Sequence, residues 1–386
     1  MLTPELERLL EPLEHFEAIR RRMVRKGDRL VDLSYANPYG GVQEAARAAI
    51  RKALEEDRTL SLQYSPFGGQ TLSRRAVADA LRRSHNLNFA FDDVTLTPGA
   101  MGAIQLALHT VARPGGEVIV PIPCWLDYPL YCRYLGLKPI LVPLAPERFG
   151  LDTEAIAAAL SKQTCAVLLS HPANPTGRAY GVAALAELGE ALREAESRLG
   201  SQVTLIADET HRDFTPPGAY TSATDAFERL LIVYSFGKYH FMQGQRLGYI
   251  AVSPRHPERS QIGAELVRWT RVTGLATPTA VMQRALPDLL ALRHDGDWLV
   301  RWRARFVQEL ADRGYRVVRP DATLFVYVGT PPGYKDFEFV EQLAREGVLA
   351  LPGPVFHHSS FFRLSLTGSE EMLERALPAL LRLGPG

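Results

Sequence analysis

From about residue 93 onward, short apolar runs alternate with helical or polar stretches. VTLTPG precedes AMGAIQLALHTVA, EVIVPIP precedes a polar-aromatic segment, and CAVLLS precedes GVAALAELGEALREAE; VTLIAD, LLIVYS and LGYIAVS follow. Runs apolar at every position, rather than at alternate ones, are strands buried on both faces. Strands of that kind need helices over each face, so the pattern predicts a mostly parallel sheet in an α/β domain. Beyond about residue 265 the order loosens into long helical patterns, then YRVVRP, LFVYVG, FEFVEQLAREG, VLALPG, FFRLSL and a last helix EEMLERALPALLRL. Mixed short strands with helices to one side predict a smaller α+β domain. Near the N terminus, Leu6, Leu9, Leu10, Leu13, Phe16, Ile19 and Met23 repeat at the spacing of one helical face, with Arg20, Arg21, Arg22, Arg25 and Lys26 on its solvated side.

A chain of 386 residues is long enough for two or three domains around a substantial core. With 44 Lys and Arg against 43 Asp and Glu the net charge is +1, which leaves no excess to attract a nucleic acid backbone or an anionic membrane. Cys124, Cys132 and Cys165 are too few for a disulfide framework and lack the CxxC spacing of a zinc site; buried thiols are expected. His357, His358 and the scattered histidines form no metal-ligand set, and no metal is expected. No run approaches the roughly 18 apolar residues of a membrane span, and the acidic start MLTPELERLLEPLEHF lacks the order of a signal peptide. The expectation is a cytoplasmic protein.

In open α/β sheets, ligands bind beyond the carboxyl ends of the strands. After VTLTP, Gly99, Ala100 and Met101 open a helix whose free N–H groups suit a phosphate, although a glycine there also serves an ordinary turn. Trp125 follows EVIVPIPC, as core or as a platform for a planar ligand. Asn174 sits between two prolines in HPANPTG, able to donate and accept, or simply to form the turn. Asp208 closes VTLIAD, where a buried carboxylate needs a cationic partner unless it caps a helix. Ser235, Lys238 and Arg246 then fall within SFGKYHFMQGQR, where burial and nearby cations would lower the lysine pKa toward a nucleophilic range. Asp127 and Asp213 are read either as partners for a basic substrate or as solvated acids, and Trp269, Trp298 and Trp302 as packing residues on helices.

Taken together, YSPFGGQTLSRRAV, TPGAMGAI, PCWLDY, HPANPTG, ADETH, SFGKYHFMQGQRLGY and FFRLSL resemble, in order and spacing, the class I/II aminotransferases, fold-type-I enzymes dependent on pyridoxal 5′-phosphate. The resemblance runs from about residue 30 to the end. It implies a large domain over 46–265 and a small domain from 1–45 plus 266–386. It further implies that Lys238 holds the cofactor as a Schiff base and moves the proton at the substrate Cα, and that Asp208 pairs with the pyridine nitrogen. Asn174 and His211 would meet the ring oxygen, and Trp125 would stack on the ring. Gly99, Ala100, Met101, Ser235 and Arg246 would surround the phosphate. Tyr64 would reach the phosphate of a neighbouring subunit, which makes the protein a homodimer. Arg363 would take the substrate α-carboxylate, with Ala36, Asn174 and Trp125 also lining the substrate.

Three departures from the family pattern stand out. His211 replaces a tyrosine, Gly237 replaces a second hydroxyl, and LSYANPYGG puts Ala36 where a glycine is frequent. The implied reaction is amino transfer between an amino acid and a 2-oxo acid. A lyase, cyclase or oxidase acting on an amino acid is the alternative, because the pocket decides which Cα bond breaks. A non-catalytic binding module is disfavoured by the presence of both Lys238 and Asp208.

Overall fold

The computed structural model describes residues 1–25, 30–39, 44–56, 59, 62–216, 218–293 and 296–385. Lys26, Gly40 and Gly41, singled out above as part of basic and pocket-wall segments, lie outside them.

The strands are β1 (Val31–Asp32), β2 (Val94–Thr97), β3 (Glu117–Ile122), β4 (Lys138–Pro143), β5 (Thr164–Ser170), β6 (Thr204–Asp208), β7 (Leu230–Ser235), β8 (Gly248–Val252), β9 (Val317–Val318), β10 (Phe325–Gly329), β11 (Val348–Leu349), β12 (Leu351–Pro352) and β13 (Phe361–Ser365). Seven form one sheet in the order β2-β8-β7-β6-β5-β3-β4. The pairs from β7 to β4 are parallel, and β8 runs antiparallel to both its neighbours. Every residue of β5, β7 and β8 is buried, as runs without polar alternation require. The helix Val182–Leu199 covers the sheet through Leu185, Leu188, Leu192 and Ala195, spaced for one face, and ends on left-handed Gly200.

Sequence patterning did not pick out β4. Its KPILVP carries two prolines and is largely uncovered, which an edge strand tolerates because one side of its backbone needs no partner. The polar-aromatic segment after β3 is a helix, Asp127–Tyr134.

A second, antiparallel sheet has the order β12-β13-β10-β9, and β1 pairs in parallel with β11. The final helix Glu370–Arg382 is capped by the Ser369 side chain, carries acids in its first turn, and packs Leu373, Leu377 and Leu380 inward. The N-terminal helix Pro4–Arg25 buries Phe16, Ile19 and Met23. Arg20 donates to Asp32 at 3.0 Å, and Glu17 accepts from Tyr35, tying this helix to β1 and the chain after it. The three cysteines are buried free thiols. Among the described residues no helix is long and apolar enough to cross a membrane.

Candidate active site

The carboxyl ends of β3, β5, β6 and β7 point the same way because these strands are parallel, and a cleft opens beyond them. Its wall contains Ala100, Met101, Trp125, Asn174, Asp208, His211, Ser235, Lys238 and Arg246. Nine residues predicted from strand ends thus converge on one cavity.

One end is a cup for an anion. Gly99 starts the helix Gly99–Val111 at φ +75°, a conformation that favours glycine, and a Cβ there would lie 2.9 Å from Nη2 of Arg246. Gly248 on β8 lets the chains close up: a Cβ at that position would come within 2.7 Å of the Gly99 carbonyl carbon. The first turn of the helix therefore faces a guanidinium across a gap with no room for a side chain, and its N–H groups have no helical partners. Arg246 is exposed in the single chain and donates to the Gln243 carbonyl at 2.9 Å. The Ser235 hydroxyl accepts from the Gly237 N–H at 3.4 Å.

Lys238 stands beside the cup on the short helix Phe236–Tyr239, directly after β7. Burial, and then the positive charges of Arg363 and Arg246, push its amine down to about 7, against the opposing pull of Asp208. Across the cleft, Asp208 is 8% exposed. Burial raises its pKa, while the Thr210 and Tyr128 donors and the Lys238 charge act in the other direction. Thr210 N–H reaches its Oδ1 at 3.0 Å and the Tyr128 hydroxyl reaches its Oδ2 at 2.6 Å.

His211 is buried, and its pKa is driven well below the usual value by burial, Lys238 and Arg363, so the imidazole is neutral. Its Nδ1 has no hydrogen-bond partner among the described residues.

Arg363, on β13 of the second sheet, donates from Nη1 to Asn174 Oδ1 at 2.9 Å and from Nη2 to the Ser34 carbonyl at 2.6 Å. Its guanidinium carbon lies 4.0 Å from the Phe325 ring centre and 4.8 Å from that of Phe356, and burial lowers its pKa to about 9. Its Nε is buried without a partner among the described residues. Buried polar atoms left unpaired are costly, by about 1–3 kcal/mol each.

Four expected residues are outside the cleft wall: Gly99 and Arg363, which adjoin it through Arg246 and Asn174, and Ala36 and Tyr64, which stand apart. Ala36 is buried and does not line the cleft, although it lies two residues beyond the Ser34 carbonyl that holds Arg363. Tyr64 is fully exposed and is not part of this chain's own cleft wall. Asp127 accepts from Tyr131 and Asp213 from Tyr234; neither lines the cleft. Sequence reading missed Tyr128, Ser170 and Thr210, which do. Their only local signal was closeness to Trp125, to the end of β5 and to Asp208.

The residues present fit pyridoxal 5′-phosphate. A cup of N–H, hydroxyl and guanidinium donors suits its phosphate, a buried amine its aldehyde, a carboxylate its ring nitrogen, and an indole its ring face.

Comparison with known proteins agrees. The sequence pattern of the family described as "Aminotransferase class I and II" matches residues 28–380. A probable aspartate/prephenate aminotransferase of Thermus aquaticus is 30% identical over 365 residues, covering 92% of this chain and 91% of that protein. The aspartate/prephenate aminotransferase of Thermus thermophilus is 29% identical, covering 93% and 92%. Among solved structures, a double mutant of Thermus thermophilus aspartate aminotransferase superposes with a TM-score of 0.85 at 27% identity, covering 95% of this chain and 96% of that one. An amino transferase from Eubacterium rectale shares the fold with a TM-score of 0.89 at 22% identity, covering 99% and 98%. The chain belongs to the class I and II aminotransferases: it is a fold-type-I, pyridoxal-phosphate-dependent enzyme that moves an amino group between an amino acid and a 2-oxo acid.

Proposed function

We propose that the cleft beyond β3, β5, β6 and β7 is where this amino transfer occurs, with Lys238 as the residue that tethers the cofactor and moves the proton at the substrate Cα. The observation that carries this reading is the placement of the Lys238 amine in one cleft wall with Asp208 and Arg246, where burial and the charges of Arg363 and Arg246 push its pKa down to about 7. A base whose pKa lies near the working pH is suited to giving and taking a proton in turn. When bound, the cofactor supplies an electron sink for the pair left at Cα.

The side chains divide the remaining work. The N–H groups at Gly99, Ala100 and Met101, the Ser235 hydroxyl and Arg246 answer the phosphate. Asp208 pairs with the ring nitrogen, and Trp125 covers a ring face. Asn174 gives its Oδ1 to Arg363, which leaves its amide N–H groups to donate to the ring oxygen. Neutral His211 is a second donor to that oxygen. Arg363 has spent two of its five N–H donors on Asn174 and Ser34, so its remaining donors take the substrate α-carboxylate.

The reading extends to a large domain over 46–265 and a small one from 1–45 plus 266–386, to a cytoplasmic location, and to a homodimer in which Tyr64 serves the neighbouring cleft. Leu62, Tyr64, Phe67, Leu72 and Val272 are large apolar side chains exposed in the single chain, and the homodimer would cover Tyr64 among them.

The test is a panel of L-amino acids, including aspartate, glutamate and the aromatic ones, each paired with a 2-oxo acid and followed by mass spectrometry. The expected result is a new amino acid and a new oxo acid in equal amounts. Ammonia, peroxide or a cyclised product from the same panel would instead support the lyase, oxidase or cyclase alternatives.

A further inference from the structure

We infer that Tyr128 is a positioning residue for this site: by donating its phenol proton to Asp208 Oδ2, it holds that carboxylate ionised and in place for the cofactor's ring nitrogen. The inference rests on the proposed role of Asp208 and adds a residue that the strand-end pattern does not reveal.

A carboxylate at 8% exposure tends to take up a proton, and a neutral acid would lose its attraction for a protonated ring nitrogen. Asp208 therefore needs donors of its own. The Thr210 backbone N–H serves Oδ1, and Tyr128 serves Oδ2 at 2.6 Å, a short charge-assisted bond. The other charged group acting on it is Lys238 on the helix after β7, with Arg246 and Arg363 acting beyond Lys238, and His211 lines the same cleft.

Tyr128 is suited to the task. It is 1% exposed, and burial together with the Asp208 charge holds its phenol well above the ordinary value, so it remains a donor at any working pH. Its ring is packed in an apolar cluster with Cys124, Cys132 and Leu168, which restrains it from swinging away. The sheet order makes the meeting possible. The helix bearing Tyr128 follows β3, β5 lies between β3 and β6, and the β5–β6 register sets Ser170 opposite Asp208. Ser170 lines the same cleft with its own hydroxyl proton donated to the Pro172 carbonyl at 3.3 Å, and Asp208 is the acceptor that the phenol reaches.

The experiment compares cofactor affinity, not turnover. Apoenzyme, wild type and Tyr128→Phe, is titrated with pyridoxal 5′-phosphate and with the carbocyclic analogue in which CH replaces the ring nitrogen. Loss of a hydrogen bond to a charged group predicts a Kd for the natural cofactor raised about 10- to 100-fold, with the Kd for the analogue unchanged within about 2-fold. Placing 3-fluorotyrosine at position 128, a stronger donor of nearly the same shape, should tighten binding of the natural cofactor alone by about 3-fold, and carries the test if Tyr128→Phe does not accumulate folded. Equal weakening for both ligands, or no weakening for either, overturns the inference. Failure of the wild-type protein to take up pyridoxal phosphate would be a different result, striking at the proposed site itself.

Discussion

Lys238→Ala lowers amino transfer by about 10³-fold or more, and in that variant borohydride fixes no cofactor to the chain. Positioned proton transfer alone is worth roughly 10²- to 10⁴-fold, and here the same nitrogen is also the tether. Among the described residues no other lysine lines the cleft wall to substitute for it. The measurement is the single-turnover rate with an amino acid, alongside a peptide map of the reduced protein; a variant that retained either the rate or the label would disprove the assignment. The unmodified apoenzyme provides a companion check. With its amine pushed down to about 7, Lys238 is roughly half neutral at pH 7, whereas an ordinary lysine reaches that point near pH 10.4. Labelling by an amine-selective reagent should therefore rise through pH 7 at this position. The sign for stability follows: between about pH 7 and 10.4 the unfolded chain holds a proton here that the folded chain has released, so this group's contribution to apoenzyme stability increases with pH.

Arg363→Leu lowers kcat/KM by about 10²- to 10⁴-fold, largely through KM, while cofactor affinity changes by less than about 3-fold. A bidentate carboxylate contact consists of two charge-assisted hydrogen bonds of about 1.5–3 kcal/mol each, and tenfold in rate corresponds to about 1.4 kcal/mol. Arg363→Lys should recover little of this loss, because an ammonium lacks the planar fork that lies between Phe325 and Phe356 and reaches Asn174 and Ser34 together. Arg363 also helps to lower the Lys238 pKa, so the labelling midpoint of Lys238 should move to higher pH in the leucine variant. Steady-state kinetics with one good amino acid, and the labelling curve, check both effects; unchanged KM would remove Arg363 from the substrate site.

Much of this site was readable before any coordinates. Asp208, Ser235 and Lys238 each stand where an apolar run ends, and Gly99 where one gives way to a helix, so strand period and polar punctuation located them. Their shared position follows from the parallel direction of β3, β5, β6 and β7, which the fully apolar runs already implied. The β4 strand was not legible, because an exposed edge with two prolines carries neither signature of a buried strand.

The chain alone determined which side chains lie at strand ends, because that information is local: it resides in the run of apolar residues and the polar one that closes it. Only the tertiary structure decided which of them touch. Tyr128 meets Asp208 across 80 residues of sequence, Arg363 meets Asn174 across 189 and Ser34 across 329. Those pairings depend on the order of strands in the seven-stranded sheet and on where the second sheet packs against it. Both are set by burial summed over the whole molecule, and so leave no trace in the few residues around each partner.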